Sequence, residues 1–246
     1  MRARTARLAA LTPASARIAL LNLDLLALLL AETAALPLLS SLLSPAESTV
    51  LAGFRFPKRR LEWLGGRLAG KYCLALLANA ENEPDLSSFR DSSILPDDHG
   101  RPRVHLSGGH GFIPALSISH SRGFAAALAV HDGPCGLDIQ QSTAKLFSVQ
   151  ERFASDEEIA GMGVIADPLT RLTALWTIKE AVKKGLLSDR PTFLGRVKLS
   201  AFEDKDGTGY WTARCTVADD AEAIVTVRVT ETEGYLIACT VGVDRA

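Results

Sequence analysis

The sequence predicts an α+β fold made of two similar halves. Helix signals followed by strand signals occur twice along the 246 residues, once before Gln140 and once after it. Each half also carries its own helix-capping signal, Ser44-Pro45-Ala46-Glu47 in the first and Ser155-Asp156-Glu157-Glu158 in the second. A composition of 47% hydrophobic and 22% charged residues can bury a substantial core and is not that of a disordered chain. The repeat rests on element order, since no identity between the halves is visible by eye.

The elements follow in order. Arg17 to Leu25 reads as a buried strand, and the leucines after it open a helix. Ser44 suits an N-cap, Pro45 the first helical position, and Glu47 closes the capping box. Beyond Phe56-Pro57, Leu61, Leu64, Leu68 and Tyr72 recur at helical spacing, and Arg60, Arg67 and Lys71 share one face of the same helix. Glu81 to Arg103 is polar and turn-rich and reads as loop. Leu116-Ser117-Ile118 and Phe124 to Val130 read as short apolar strands. His131-Asp132-Gly133-Pro134 then turns the chain into a third strand, Cys135 to Gln140. Asp167-Pro168 opens a helix that Gly185 is expected to end. The remainder is β-rich, with runs near Gly195–Phe202, Tyr210–Val217, Ala223–Thr230 and Tyr235–Val243. The expected organisation is an N-terminal extension without fixed order (1–16), an N-terminal α+β half (17–134) and a C-terminal α+β half (135–246).

Lys and Arg number 27 against 28 Asp and Glu, a balance that argues against general binding to nucleic acid or to an anionic membrane. Cys73, Cys135, Cys215 and Cys239 are scattered, with no C-x-x-C and no histidines at zinc spacing, as expected of buried reduced thiols in a cytoplasmic protein. Arg2, Arg4 and Arg7 before the leucine-rich stretch from Ile18 to Leu30 superficially resemble a secretory leader. Asn22 and Asp24 interrupt that stretch, which is also too short to span a membrane, so neither export nor membrane insertion is expected.

Three segments carry candidate chemistry. In Gly136-Leu137-Asp138-Ile139-Gln140 the period of two puts Asp138 and Gln140 on one face, where oxygen ligands could hold a hard cation. In Trp176-Thr177-Ile178-Lys179-Glu180-Ala181-Val182-Lys183-Lys184, Glu180 and Lys184 stand at i and i+4 and can point the same way. Ser119-His120-Ser121 follows an apolar strand, leaving His120 free to meet a ligand. Taken singly these also fit a half-buried strand, a surface ion pair and a loop histidine; order and spacing carry more than any one of them. A Ser/His hydrolase built on His120 lacks a nucleophile-elbow G-x-S-x-G. Ser107-Gly108-Gly109-His110-Gly111 is glycine-rich but lacks the Lys-Ser/Thr ending of a P-loop, and is read as a flexible turn.

Read together, Lys58 to Arg67, Gly100-Arg101-Pro102, Ser117 to Ser121 with Gly136 to Gln140, and Trp176 to Lys184 resemble the Sfp-type 4′-phosphopantetheinyl transferases. Ser44 to Glu47 and Phe153 also match, so the resemblance spans roughly Ser44 to Gly185. It implies a pseudo-two-fold pair of halves with coenzyme A in the cleft between them, and a monomer. It implies transfer of the phosphopantetheine group of coenzyme A to a serine of an apo acyl or peptidyl carrier protein, dependent on Mg²⁺. Asp138 and Glu180 match the family's acidic Mg²⁺ ligands, and Lys184 its lysine at the pyrophosphate, with Lys179 in the same motif. Ser119 and His120 match positions that contact the phosphates, and Arg59 and Arg67 match basic positions near the 3′-phosphate. Arg101 replaces the lysine of a Gly-Lys-Pro, and Gln140 replaces a common glutamate, leaving an uncharged third metal ligand. The alternative reading is a non-catalytic coenzyme A or carrier-protein binding module.

Overall fold

The computed structural model describes residues 8, 11–32, 35–78, 85–107, 113–187, 194–204, 210–217 and 220–245. The chain divides into two compact units, Ala14–Gly133 and Pro134–Ala246, the latter joined by Met1–Pro13. The glycine-rich stretch 108–112 lies outside the described residues. Leu11 is fully buried and its carbonyl accepts a hydrogen bond from Cys239 Sγ at 3.2 Å. Leu11, within the segment expected as an unordered extension, therefore contributes to the second unit.

The Ala14–Gly133 unit starts with strand β1 (Ala16–Asn22), followed by helices α1 (Leu23–Ala31), α2 (Ala35–Ser41), α3 (Pro45–Ala52) and the long α4 (Pro57–Ala78). Four strands follow: β2 (Ser92–Pro96), β3 (Pro102–Leu106), β4 (Ala115–Ser121) and β5 (Phe124–Val130). β5 lies between β1 and β4, antiparallel to both, and β2 pairs with β3. The β2–β3 hairpin falls where the sequence predicts loop. Its strands are only five residues each, and the turn-forming residues Asp97 to Gly100 between them dominate the local composition.

Helix α4 lies close on the sheet because small residues meet there. A methyl group at Gly65 would stand 2.3 Å from Leu23 Cδ2 and 3.3 Å from Ala125 Cβ. Facing it, β5 offers the fully buried Ala125, Ala127 and Ala129. The helix extends well past the predicted Tyr72, since Cys73 and Leu77 continue its buried stripe.

The second unit runs β6 (Leu137–Gln141), α5 (Asp156–Gly161), α6 (Pro168–Leu186), β7 (Val197–Asp204), β8 (Trp211–Val217), β9 (Asp220–Thr232) and β10 (Tyr235–Arg245). Its five strands form one sheet in the order β6-β10-β9-β8-β7. The core gathers Leu172, Leu175, Ile178 and Val182 of α6 against Val225, Val227 and Val229 of β9. Gly185 does not end α6, which continues to Leu186. In both units, then, a strand leads through helices into one long helix and four further strands, and the last strand pairs with the first. No helix among the described residues is long and apolar enough to cross a membrane.

Both units also contain the same buried ion pair. In each, a capping-box glutamate turns inward from a short helix. Glu47 accepts from Ser44 N at 2.9 Å and from Ile94 N of β2 at 2.9 Å, and meets Lys71 Nζ of α4 at 2.9 Å. Glu158 accepts from Ser155 N at 3.0 Å and from Leu199 N of β7 at 2.9 Å, and meets Lys179 Nζ of α6 at 2.6 Å. Each lysine also donates to backbone carbonyls, Lys71 to Phe89 and Ser92, Lys179 to Phe153. Burial lowers the Lys71 pKa, opposed by the hydrogen bond and charge of Glu47. Lys71→Met leaves the Glu47 carboxylate buried without its cation, and should cost about 3–5 kcal/mol. A urea titration followed by circular dichroism measures this, and the double variant with Glu47→Gln should recover much of the loss.

Candidate active site

The expected acidic residues lie on two neighbouring elements of the second unit. Asp138 sits on β6, paired with Ala238 of β10, and is 5% exposed. Glu180 and Lys184 lie on α6, whose start is fixed by Asp167 Oδ2 accepting from Thr170 N at 2.7 Å, with Pro168 in the first turn. The approach of β6 to α6 depends on glycine. A Cβ on Gly136 would stand 1.9 Å from the Ala181 carbonyl oxygen, and one on Gly185 would stand 3.3 Å from Gly136 N. Gly136 is held by Thr240, donating N–H to Thr240 Oγ1 at 2.7 Å and accepting from Thr240 N at 2.9 Å.

This close approach brings Lys184 Nζ to 2.7 Å from Asp138 Oδ1. One turn away Lys183 Nζ lies 3.1 Å from Glu180 Oε1, the Glu180 side chain being 16% exposed. The two candidate metal-binding carboxylates thus each hold a lysine of the same helix. Gln140 is half-buried at the end of β6 and donates its Nε2 to the Gln141 carbonyl at 3.0 Å, so its amide oxygen is the atom suited to coordination. Among the described residues no three His, Cys, Asp or Glu side chains cluster as a metal site. The donors for a cation here are two carboxylates and one amide oxygen. All are hard oxygen ligands, and they suit Mg²⁺, which takes one or two carboxylates and completes its shell with water and substrate phosphate oxygens.

Lys179 stands differently from expectation. It is 1% exposed, with its ammonium between Glu158 and the Phe153 carbonyl. Burial pushes the Glu158 carboxyl up, but hydrogen bonds from Lys179, Leu199 N and Ser155 N together hold it below the ordinary value. This is a buried ion pair, at the position where the resemblance implies a cofactor contact. Trp176 packs at 5.0 Å, edge-on, against Phe153.

The expected phosphate-binding residues lie in the Ala14–Gly133 unit. Arg59 opens α4, and His120 stands near the end of β4 beside the 5% exposed Ser119. Arg59 NH1 lies 3.1 Å from His120 Nε2. Glu62 lies among these cations, with Oε2 3.9 Å from Arg59 NH1 and Oε1 3.8 Å from His120 Nδ1 and 3.9 Å from Lys58 Nζ. Arg67, predicted at the same ligand, is 8% exposed. Its Nε donates to the Ile94 carbonyl at 3.0 Å and its guanidinium lies 4.4 Å over the Trp63 ring. Burial brings its pKa down to about 10, Glu47 opposing and Arg59 adding to that shift. Helix periodicity puts Arg67 on the face of Lys71, and that face is turned inward, so Arg67 ties α4 to β2 instead of facing solvent. Arg101 belongs to the β2–β3 turn, where its N–H donates to Asp97 Oδ1 at 2.9 Å and Gly100 takes a φ of 81°.

Two residues of this geometry were not singled out from sequence. For Glu62 and Lys183 the available signal is their i+3 and i+4 spacing to Arg59, Lys58 and Glu180, the pattern of an ordinary helix-surface pair. A cavity of about 560 Å³ between α1, α2, α3 and α4 is lined mainly by leucines and holds none of the expected site residues.

No family model matches the chain. Over 74 residues, 30% of its length, it is 39% identical to the holo-[acyl-carrier-protein] synthase of Geobacillus sp. (strain WCH70), covering 60% of that protein. It is likewise 39% identical over 74 residues to the enzyme of that name from Geobacillus kaustophilus (strain HTA426), covering 56% of it. The chain therefore spans less than two thirds of the length of these curated relatives. Among solved structures it is similar to a holo-(acyl-carrier-protein) synthase from Bacillus anthracis str. Ames in complex with CoA (3',5'-ADP). That similarity has 28% identity and a TM-score of 0.38, and covers 47% of this chain and 93% of that one.

Proposed function

We propose that this chain, related over that stretch to holo-[acyl-carrier-protein] synthases, is a 4′-phosphopantetheinyl transferase that takes its group from coenzyme A and delivers it to a serine of an apo acyl or peptidyl carrier protein. The observation that carries this reading is the placement of Asp138, Glu180 and Lys184 at one strand–helix packing in the second unit. The shared element order and the shared buried ion pair support a further part of the reading, that the two units are repeats of one motif. Cytoplasmic location and a monomeric state belong to the proposal as well.

Mg²⁺, when bound by Asp138, Glu180 and the Gln140 amide oxygen, would neutralise charge on the pyrophosphate of coenzyme A. The protein's own groups do the rest. Lys184, now on Asp138, exchanges that carboxylate for a phosphate oxygen and stabilises the leaving 3′,5′-ADP. The carrier serine oxygen attacks the β-phosphorus, its proton passes to the Glu180 carboxylate, and the bond from the β-phosphorus to the bridging oxygen of 3′,5′-ADP breaks. Arg59 and His120 are assigned to anionic phosphate groups of coenzyme A, Ser119 contributes its hydroxyl, and Arg101 a further cation.

Incubation of an apo carrier protein with this protein, coenzyme A and Mg²⁺, followed by mass spectrometry, tests the proposal. The carrier should gain the mass of one phosphopantetheine group, and EDTA should abolish the gain. Coenzyme A binding without transfer to any of several unrelated carriers would favour the binding module instead, a reading that the uncharged Gln140 would then explain.

A further inference from the structure

Glu62 lies within 4 Å of two of the proposed phosphate-binding groups, at 3.9 Å from Arg59 and 3.8 Å from His120. A carboxylate there is at first sight unfavourable, since it repels the polyanion those cations are meant to hold. Its surroundings show what it contributes. The Glu62 side chain is 15% exposed, whereas those of Lys58, Arg59 and His120 are 83%, 55% and 36% exposed. The carboxylate lies underneath, and the three bases lie over it toward solvent.

The contact between Arg59 and His120 fixes the proton. A guanidinium only donates, so at 3.1 Å from Arg59 NH1 the His120 Nε2 must be the acceptor. The imidazole is then neutral, with its proton on Nδ1. That nitrogen faces Glu62 Oε1 at 3.8 Å. A proton on Nε2 would point instead at the guanidinium, and the pair would separate. By its charge Glu62 therefore favours the one tautomer that lets His120 hold Arg59, and its other oxygen lies 3.9 Å from Arg59 NH1. Arg59 and Glu62 come from adjacent turns of α4 and His120 from β4, so the carboxylate joins helix to strand at this point.

We infer that Glu62 is a positioning residue, which holds Arg59 and His120 together in the arrangement that receives an anionic phosphate group of coenzyme A. The inference rests on the proposed reading of Arg59 and His120. It makes a prediction of opposite sign to simple electrostatics. If Glu62 were only a nearby negative charge, its removal would tighten binding of the polyanion. As a positioning group, its removal releases two solvent-exposed side chains and weakens binding in spite of the charge gained.

Isothermal titration of coenzyme A into the full chain, without metal, distinguishes the two. Glu62→Ala should weaken binding about 10-fold, the low end of the loss seen when a group that orients a metal-binding histidine is removed. Glu62→Gln, which keeps a polar oxygen at the position that faces Nδ1, should recover part of that loss. Nitrogen-15 chemical shifts of His120 supply a readout that a merely structural role would not move: the Nδ1–H tautomer should dominate in the unaltered protein and lose its dominance in Glu62→Ala, with thermal unfolding unchanged. Equal or tighter binding by Glu62→Ala, while Arg59→Ala binds more weakly, overturns the inference and leaves the proposed function standing. Unchanged affinity in both Arg59→Ala and His120→Ala overturns the reading of the anion site, and the inference with it.

Discussion

Replacement of Glu180 by glutamine should slow transfer of phosphopantetheine by about 10²–10⁴-fold, the usual contribution of a positioned proton acceptor. The substitution keeps the shape of the side chain and removes only its charge and basicity. In the proposed reaction both are needed, because the carboxylate receives the serine proton and supplies one of two negative oxygen ligands. The fold should survive, since the group lost from the free protein is an i,i+3 pair with Lys183, whose side chain is 33% exposed. Pairs this accessible contribute about 1 kcal/mol or less. The check is the initial rate of carrier mass gain at saturating coenzyme A and Mg²⁺, with thermal unfolding measured alongside. A rate within a few-fold of the unaltered protein, with the fold intact, removes Glu180 from the mechanism.

A large loss of stability is expected at Gly136. An alanine Cβ there would lie 1.9 Å from the Ala181 carbonyl oxygen, 2.7 Å from Gly185 N and 2.9 Å from the Ala181 carbonyl carbon. All three are helix backbone, so no rotamer change relieves the clash. Thr240 holds Gly136 from both its N–H and its carbonyl, so the strand cannot retreat alone. The helix and the strand must part, at a cost of about 3 kcal/mol or more. Separation also draws Lys184 away from Asp138, so activity should fall with stability. Gly185→Ala is the control. Its nearest contact would be 3.3 Å, which small shifts accommodate, and it lies within α6, where alanine is favoured over glycine by about 1 kcal/mol. Urea midpoints should therefore fall sharply for Gly136→Ala and little, or not at all, for Gly185→Ala. Similar midpoints for the two variants would contradict the packing described.

Local chemistry explains how much of this molecule can be read before it folds. Ser44 and Ser155 form capping boxes in the structure as their sequences predict, because an N-cap needs only a side chain and a backbone N–H three residues away. The strands of the second unit fall near their predicted ranges for a similar reason, each being a β-rich run parted from the next by turn residues. The β2–β3 hairpin is not legible in the sequence because five-residue strands beside a polar turn present too few alternations. Asp138, Glu180 and Lys184 were legible as candidates through spacing along one strand and one helix, together with the family resemblance.

The amino-acid sequence by itself determined where the capped helices begin, roughly where the strands of the second unit lie, which residues share a helix face, and that Asp138, Glu180 and Lys184 stand at ligand-compatible spacings. Those properties depend on neighbours within a few residues along the chain. Tertiary structure alone decided which cations are buried. Arg67, Lys71 and Lys179 carry the same charge as Arg59 and Lys184, yet are buried at 8%, 1% and 1% exposure against carbonyls and carboxylates from other elements. Arg59 meets His120 across 61 residues of chain, and Lys184 meets Asp138 across 46. The physical reason is that helical periodicity puts a side chain on a face but does not say what will cover that face. Burial and long-range partners follow from how elements pack.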